Sequence, residues 1–528
     1  MPSDHRAHAA GADVCLVLEG TYPYVPGGVS TWAHDLIRGL PAFRFALVHI
    51  GAERGQPSKR HYALPANVDS LSDLYCREPL SRRADPASLW RAARAEYRRQ
   101  GAARRPSRVL AALRRLHLET QVDADLLDDL ASGDLSVGSF LHGRSSLDVT
   151  MELCERLAPE ASFLDFFWHF RSMHLPLVRL LGAQAPPAAT YHALCTGYAG
   201  VLGAAWSHRT GRPFLLTEHG IYTRERDLEL DRTTWIQGSR GSRRADQEER
   251  PLDSVTASCL RRVWGRFFRG LARCAYARAS TIISLSEISR RRQIADGASP
   301  ERTLVIPNGI DLEGLQQRLA RGPRPVVPES RAVRVGFVGR LVPIKNMVTF
   351  LRACFLASRT VDLVVRVFGP LDEDPAYVRR CRRLVASLGL GPRIRFEGLQ
   401  PIEAIYAAID MLVLTSFSEG QPLVVLEANA AGIPVIASDV GACRDLIEGR
   451  DEVDRRTGLS GIVTRLADPE ETAAAIVRLA LDPALRHRMG AAGRERVATQ
   501  YRQSVTLARY GMLYGGDPWP ASAGASSA

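Results

Sequence analysis

Short apolar runs of three to six residues alternate with segments of helical spacing twice along this chain, and a proline-rich stretch separates the two series. Alternation of this kind predicts parallel strands, because each strand must be followed by a crossover helix before the next can pair beside it. It also requires helices on both faces of the sheet. The first series opens with a strand over 14–18, passes through the loop Glu19-Gly-Thr-Tyr-Pro-Tyr-Val-Pro-Gly-Gly28 and enters a helix over 29–40. Further strands are expected at 45–50, 188–191, 213–217, 281–285 and 304–306, with a helix over 197–207 and an Arg- and Glu-rich helix after Glu218. Between 70 and 180 strand signals are few, and Leu, Ala and Arg recur at helical spacing, with Leu110, Leu113 and Leu116 on one face. That stretch predicts a helical insertion.

The segment Arg321-Gly-Pro-Arg-Pro-Val-Val-Pro328 has the composition of a stiff linker. Beyond it, strands are expected at 333–338, 363–368, 394–397, 411–415 and 434–437, and helices at 347–357, 376–388, 403–408 and 423–431. The fold class is therefore α/β, with two doubly wound Rossmann-like domains facing a cleft. The expected boundaries are a first domain over 1–320 with an insertion at about 70–180, a linker over 321–331, a second domain over 332–498, a C-terminal helix over 499–514 and a disordered tail over 515–528. Open parallel sheets bind ligands at the carboxyl ends of their strands, so the chemistry should lie in the loops that follow them.

A chain of 528 residues, 45% hydrophobic and 24% charged, can fill two cores of this size and is neither collagen-like nor compositionally disordered. Basic residues outnumber acidic ones by 69 to 57, and most of the excess is local: from Arg77 to Arg115, twelve arginines face only Glu78, Asp85 and Glu96. This segment reads first as a solvated helical face, second as a contact for an acidic partner or lipid headgroups, and third as a nucleic-acid patch. No helix-turn-helix or RNA-binding motif supports the third, so no nucleic-acid partner is expected. Only two lysines occur, Lys59 and Lys345, a scarcity that reflects coding composition and draws attention to any lysine that remains.

The nine cysteines show neither C-x-x-C nor zinc-finger spacing and are expected to be reduced and mostly buried. Asp123-Ala-Asp125 and Asp372-Glu-Asp374 imitate a metal-binding Asp-x-Asp but have no partner ligands, so no metal is expected. The run at 14–18 is too short for a signal-peptide core, and the stretch 180–208, free of Asp, Glu, Lys and Arg, is too rich in Gly, Pro and polar residues for a membrane span. A cytoplasmic protein is expected, with a peripheral position at the inner face of the cytoplasmic membrane as an extension of that reading.

The strongest site signal is Thr415-Ser-Phe-Ser-Glu-Gly-Gln-Pro-Leu-Val-Val-Leu-Glu427. A strand end, a Glu-Gly turn and a helix start bring backbone amides to face an anion, with Glu419 just before the helix and Glu427 inside it. Phosphate at the helix start and hydroxyls near each carboxylate describe a sugar nucleotide. The plain alternative is a glutamate complementing the helix dipole and a second on the surface. After the strand 333–338, Arg340 and Lys345 occupy one loop and could neutralise a diphosphate leaving group. Cations beside a helix N-terminus oppose its dipole unless an anion is bound, which favours this role over two solvated charges. In the first series, Gly27-Gly28 lets backbone amides approach a phosphate, although such a pair is more often only a turn. His219 follows a strand in Thr217-Glu218-His219-Gly220 and could bind a sugar hydroxyl or share a proton, although an isolated histidine is more often structural. His192 is a weaker candidate of the same kind.

Together these residues resemble the family-4 retaining glycosyltransferases of GT-B fold. The second half carries Val-Gly-Arg-Leu over 338–341 with Lys345, the E-x7-E pair Glu419 and Glu427, Glu427-Ala-Asn-Ala-Ala-Gly-Ile-Pro434, and Ile306-Pro-Asn-Gly-Ile-Asp311 upstream. In the first half, Glu19-Gly-Thr-Tyr-Pro-Tyr-Val-Pro-Gly-Gly-Val-Ser30, Thr217-Glu-His-Gly-Ile-Tyr-Thr-Arg-Glu-Arg226, His192 and Thr196-Gly-Tyr-Ala-Gly200 are similar to the PelF-type enzymes of Pel exopolysaccharide biosynthesis, found in biofilm formers. One departure is Glu-Gly-Gln-Pro, where many family-4 enzymes have Glu-Gly-Phe-Gly.

The resemblance implies transfer of a hexose from a UDP-sugar to a growing exopolysaccharide, with retention and without a metal or other cofactor. Arg340 and Lys345 would hold the diphosphate and Glu427 the ribose, while Glu419 with Gly420, Gln421, Pro422 and Leu423 would contact the donor sugar. Gly27 and Gly28 would close on the phosphates. His219 would lie by the reacting sugar, and His192 and Glu218 are candidates for contact with acceptor or donor sugar. The catalytic set implied is His219, Glu419, Lys345 and Arg340. Expected partners are the nucleotide sugar, the polysaccharide acceptor and subunits of a membrane-bound synthase complex, and the C-terminal helix would return to the first domain. The donor hexose stays open between glucose and an N-acetylhexosamine. Two other readings compete: a GT-B scaffold that binds a sugar nucleotide without turnover, and a UDP-sugar 2-epimerase.

Overall fold

The computed structural model describes residues 11–54, 59–77, 107–232, 254–322 and 332–516. It divides into two compact units, one of Met1–Ser284 with Arg290–Leu304 and the other of Leu285–Ser289 with Val305–Ala528.

The first unit is built on a sheet of strand order β3-β2-β1-β4-β5-β6-β7, with β1 Ala12–Glu19, β2 Phe45–Glu53, β3 Val68–Arg77, β4 Ala188–Ala193, β5 Phe214–Glu218, β6 Thr281–Ser284 and β7 Thr303–Val305. The strands from β1 to β6 pair in parallel, with Val17 opposite Val48 on one side and Ala193 on the other. The central residues of β1, β2 and β5 are buried on both faces, as continuous apolar runs demand. Helix Gly28–Gly39 follows β1 and presents Trp32, Ala33, Leu36 and Ile37 to the interior. Its last carbonyls are closed by Asn67, whose side-chain amide donates to the carbonyls of Ile37, Leu40 and Phe43.

The expected insertion needs correction at its start. Residues Val68–Arg77 form the edge strand β3, and the next helix among the described residues is Arg108–Leu118. An edge strand with a solvated face carries polar residues, here Asp69, Ser70, Ser72 and Asp73, and so lacks the apolar run that marks the central strands. From Arg108 to Leu181 the chain is helical, with Leu110, Leu113 and Leu116 all buried in a core that also holds Phe166, Phe170 and Phe267. The arginine-rich segment lies outside the described residues from 78 to 106. Arg108, Arg114 and Arg115, beyond that gap, pair with Asp129, Glu152 and Glu119. Asp123 and Asp374, from the two Asp-x-Asp strings, each cap a helix N-terminus, accepting from the amides of Leu126 and Tyr377 at 2.8 and 2.9 Å.

The second unit carries a parallel sheet of order β10-β9-β8-β11-β12-β13, with β8 Val333–Val338, β9 Leu363–Phe368, β10 Ile394–Gly398, β11 Met411–Leu414, β12 Val435–Ser438 and β13 Gly461–Thr464. The helix expected over 423–431 is Leu423–Ala431, and that over 347–357 is Met347–Ala357. Where the sequence reading ended the first domain at 320, the units divide at Leu304–Val305. Helix Leu312–Arg321 belongs with the second unit because Leu312 and Leu315 are buried in the core that contains Ile405, Leu412 and Leu426. The chain ends in helices Pro483–Gln500 and Gln503–Gly515. Residues 323–331 of the linker and 517–528 of the tail lie outside the described residues. Among the described residues, no helix is long and apolar enough to cross a membrane.

Candidate functional site

Strand order reverses direction between β1 and β4 in the first sheet and between β8 and β11 in the second, and a ligand crevice is expected outside the carboxyl ends of such strands. In the second unit these ends carry the predicted donor residues. After β8, Gly339 takes φ 157°, and Gly369 after β9 approaches so closely that a Cβ on it would lie 2.0 Å from the Gly339 carbonyl oxygen. The chain then makes a short turn, Pro343–Lys345, and Asn346 adopts a left-handed conformation (φ 50°) and caps helix Met347–Ala357. The Thr415 hydroxyl donates to the Asn346 carbonyl at 3.0 Å and the Phe417 amide to that of Ile344 at 2.8 Å. The loops after β8 and β11 are thereby tied together.

That tie brings Lys345 and Glu419 into contact: Nζ donates to Oε1 at 2.6 Å, with side chains 20% and 10% exposed. Both charges are largely withdrawn from water, so desolvation offsets much of their attraction and the pair adds little net stability. Arg340 is more exposed and meets Glu373 at 3.2 Å, a surface contact readily exchanged for a phosphate. Glu427 accepts from the Tyr406 hydroxyl at 2.9 Å, and burial, with the carboxylate next, pushes the Tyr406 phenol far above its usual range. Gly441 packs against the Glu-Gly turn, where a Cβ would lie 2.1 Å from the Glu419 carbonyl oxygen. Gln421 is 5% exposed, and its side chain accepts from the Asn308 amide at 2.5 Å. Of the predicted donor turn, Gly420 and Pro422 are buried and Leu423, first residue of the helix, is half-buried.

In the first unit, Gly27 precedes helix Gly28–Gly39, and a Cβ on it would meet nothing within 4 Å. The loop is held from beside it, because the Tyr24 hydroxyl donates to Asp73 at 2.8 Å and the Pro23 carbonyl accepts from the amides of His61 and Tyr62. His192, at 0% exposure, shares a 2.9 Å hydrogen bond with the Thr217 hydroxyl. His219 packs edge-on against Trp32, with ring centroids 4.5 Å apart, and its buried Nε2 has no hydrogen-bond partner among the described residues. Burial lowers both imidazoles to about 3, and the charge of His219 adds to the effect on His192. At neutral pH His219 is therefore an uncharged ring with one nitrogen unengaged.

Glu218 faces inward. Its carboxylate accepts from Tyr276 at 2.6 Å, Gln293 at 2.9 Å, Thr196 at 3.1 Å and the Tyr222 amide at 3.3 Å. Burial raises its pKa, and these four donors oppose the rise. Glu218 thus organises the segment that carries His219. Sequence reasoning missed Tyr406, Glu373 and Trp32, which act through contacts made only in the folded chain. Asn308 was visible in Ile306-Pro-Asn-Gly-Ile-Asp311 without a role.

Comparison with known proteins bears on both units. Residues 12–301, more than half the chain, match a domain of unknown function, DUF3492. The chain belongs to the DUF3492 family. Downstream of that domain, residues 332–482 match the glycosyl transferases group 1 family, so in this DUF3492 protein the Lys345–Glu419 pair lies within a glycosyl transferases group 1 domain. The chain is 36% identical over 200 residues to a D-inositol 3-phosphate glycosyltransferase of Geodermatophilus obscurus, covering 35% of this chain and 42% of the relative. It is 34% identical over 244 residues to the D-inositol 3-phosphate glycosyltransferase of Thermomonospora curvata, covering 43% and 54%. The match thus spans about half the length of these relatives. Among solved structures, Anabaena Alr3699/HepE in complex with UDP and glucose aligns at TM-score 0.54 and 16% identity over 96% of this chain and 100% of that one. Sucrose-phosphate synthase from Thermosynechococcus elongatus aligns at TM-score 0.54 and 18% identity over 95% and 98%. The fold is GT-B, two Rossmann-like domains.

Proposed function

We propose that this protein is a retaining glycosyltransferase that moves a hexose from a UDP-sugar to a growing, Pel-like exopolysaccharide. The observation that carries the proposal is the 2.6 Å contact of Lys345 with Glu419 after β8 and β11, inside a glycosyl transferases group 1 domain. In this reading Lys345 and Arg340 receive the diphosphate, Glu427 the ribose, and Glu419 with the backbone of residues 420–423 the donor sugar. His219 and Gly27-Gly28 act at the reacting sugar and the phosphates. As the bond from the sugar C1 to the β-phosphate oxygen breaks, the two cations stabilise the charge on the leaving diphosphate. The acceptor hydroxyl forms its bond to C1 on the same face and passes its proton to the departing phosphate oxygen. The first-half motifs shared with PelF-type enzymes support the exopolysaccharide acceptor, and with it a membrane-bound synthase complex as partner. No metal or other cofactor enters this scheme.

The test is incubation of purified protein with UDP-glucose, UDP-galactose and their N-acetylamino counterparts, with and without oligosaccharide acceptors. Release of UDP with transfer or hydrolysis supports the proposal. An isomerised sugar would replace it with the epimerase, and binding without turnover with the scaffold.

A further inference from the structure

The Glu-Gly-Gln-Pro turn is held from outside itself. Gln421 Oε1 accepts from the backbone amide of Asn308 at 2.5 Å, while Asn308 Nδ2 donates to the Gln421 carbonyl at 3.1 Å. The two bonds run in the same direction, from Asn308 to Gln421, and fix both the side chain and the main chain of the turn. Both residues are buried, at 2% and 5% exposure, where hydrogen bonds are shielded from water and an unmade one is costly. The segment that carries Asn308 is itself anchored. Thr506 donates to the Pro307 carbonyl at 2.9 Å, the Ile310 amide to the Tyr501 carbonyl at 2.8 Å, and the Gln503 amide back to Ile310 at 3.0 Å. Contact there is so close that a Cβ on Gly309 would lie 2.5 Å from the Gln503 Cα. The start of helix Gln503–Gly515, the segment 306–311 and the turn 419–422 form one hydrogen-bonded chain within the second unit.

We propose that Asn308 is a positioning residue for the donor sugar, acting through Gln421, and that this clasp sets where the backbone of Glu419, Gly420 and Gln421 meets the transferred hexose. The inference rests on the assignment of this turn to the sugar of a UDP-sugar. Gln421 has turned its amide onto Asn308, so its side chain serves the turn's position, and the sugar is met by main-chain groups and by Glu419. The uridine and diphosphate contacts lie on other residues, Glu427, Lys345 and Arg340. Loosening the clasp should therefore weaken grip on the sugar and leave grip on UDP almost unchanged.

The experiment is calorimetric titration of wild type, Asn308→Ala, Gln421→Met, Gln421→Glu and the Asn308→Ala/Gln421→Met double variant with UDP and with the four UDP-sugars above. Asn308→Ala and Gln421→Met should each bind the preferred UDP-sugar about tenfold more weakly and UDP within about twofold of wild type. Asn308→Ala removes the bond to the Gln421 carbonyl and Gln421→Met the bond to its side chain, so the double variant, which removes both, should bind the UDP-sugar more weakly than either single one while UDP stays within about twofold of wild type. Gln421→Glu keeps an acceptor for the Asn308 amide and should lie nearer wild type than Gln421→Met. Equal losses for UDP and UDP-sugar, a double variant that binds the UDP-sugar as wild type does, or unchanged affinities would each overturn the inference. A wild-type protein that binds no uridine nucleotide would overturn the functional proposal itself, an outcome distinct from all of these.

Discussion

Lys345 and Glu419 carry the chemistry proposed here, and each is explained by the other. In a chain with two lysines, Lys345 sits where its ammonium reaches a carboxylate at 2.6 Å on a loop that backbone hydrogen bonds tie to the next. Lys345→Ala should reduce UDP-sugar turnover by at least about a hundredfold, the scale expected when one charge that stabilises a leaving group is removed, and Glu419→Ala, which removes both a donor-sugar contact and the partner that holds Lys345, by a comparable factor. Circular dichroism should stay close to wild type, while the thermal midpoint should fall, because each variant leaves a largely buried charge without its partner. Turnover within a factor of two of wild type in either variant would remove that residue from the mechanism. Each residue stood out in the sequence because E-x7-E spacing and a basic loop after a strand are local patterns, while their contact with each other did not. The partners of the other site residues were not: Tyr406 stands 21 positions from Glu427 and Glu373 stands 33 from Arg340, distances that only the folded sheet closes.

Among the elements, the turn 419–422 is gripped from two sides, by the Asn308 clasp and by Gly441, whose φ of 52° and lack of a Cβ let it lie against the Glu419 and Gly420 carbonyls. Gly441→Ala should cost about 2 kcal/mol or more of stability, since it adds left-handed strain to a backbone clash, and should also lower affinity for UDP-sugar. Denaturant unfolding paired with titration checks this, and an unchanged midpoint and affinity would show that the turn is free to move. Central strands and the helices after them were legible because runs buried on both faces leave no polar position. Helix Leu423–Ala431 was expected over those same residues for that reason. The edge strand β3 was hidden by its own solvated face, and helix Leu312–Arg321 was not singled out in the sequence, where amphipathic spacing marks an apolar face without saying which core receives it.

The two units differ in their response to acid. His117, His174, His192 and His219 all belong to the first unit, and burial holds all four imidazoles below their usual value, to about 4 for His174 and about 3 for His192 and His219. Below about pH 6.5 the unfolded chain takes up protons that the folded unit refuses, so stability is complete above that pH and falls as pH drops toward 3, by up to about 1.4 kcal/mol per pH unit for each histidine. Denaturant unfolding followed by a first-unit tryptophan should show a midpoint that falls steeply between pH 6.5 and 4.5, with a shallower slope in His192→Gln. A pH-independent midpoint would contradict the burial of these rings. The most direct test of the function is 1H NMR of UDP-sugar turnover, recording the anomer first formed in product or released sugar. Retaining transfer predicts the anomeric configuration of the donor, with the signal lost in Lys345→Ala; a first-formed product of inverted configuration, or turnover that survives loss of Lys345, would contradict it.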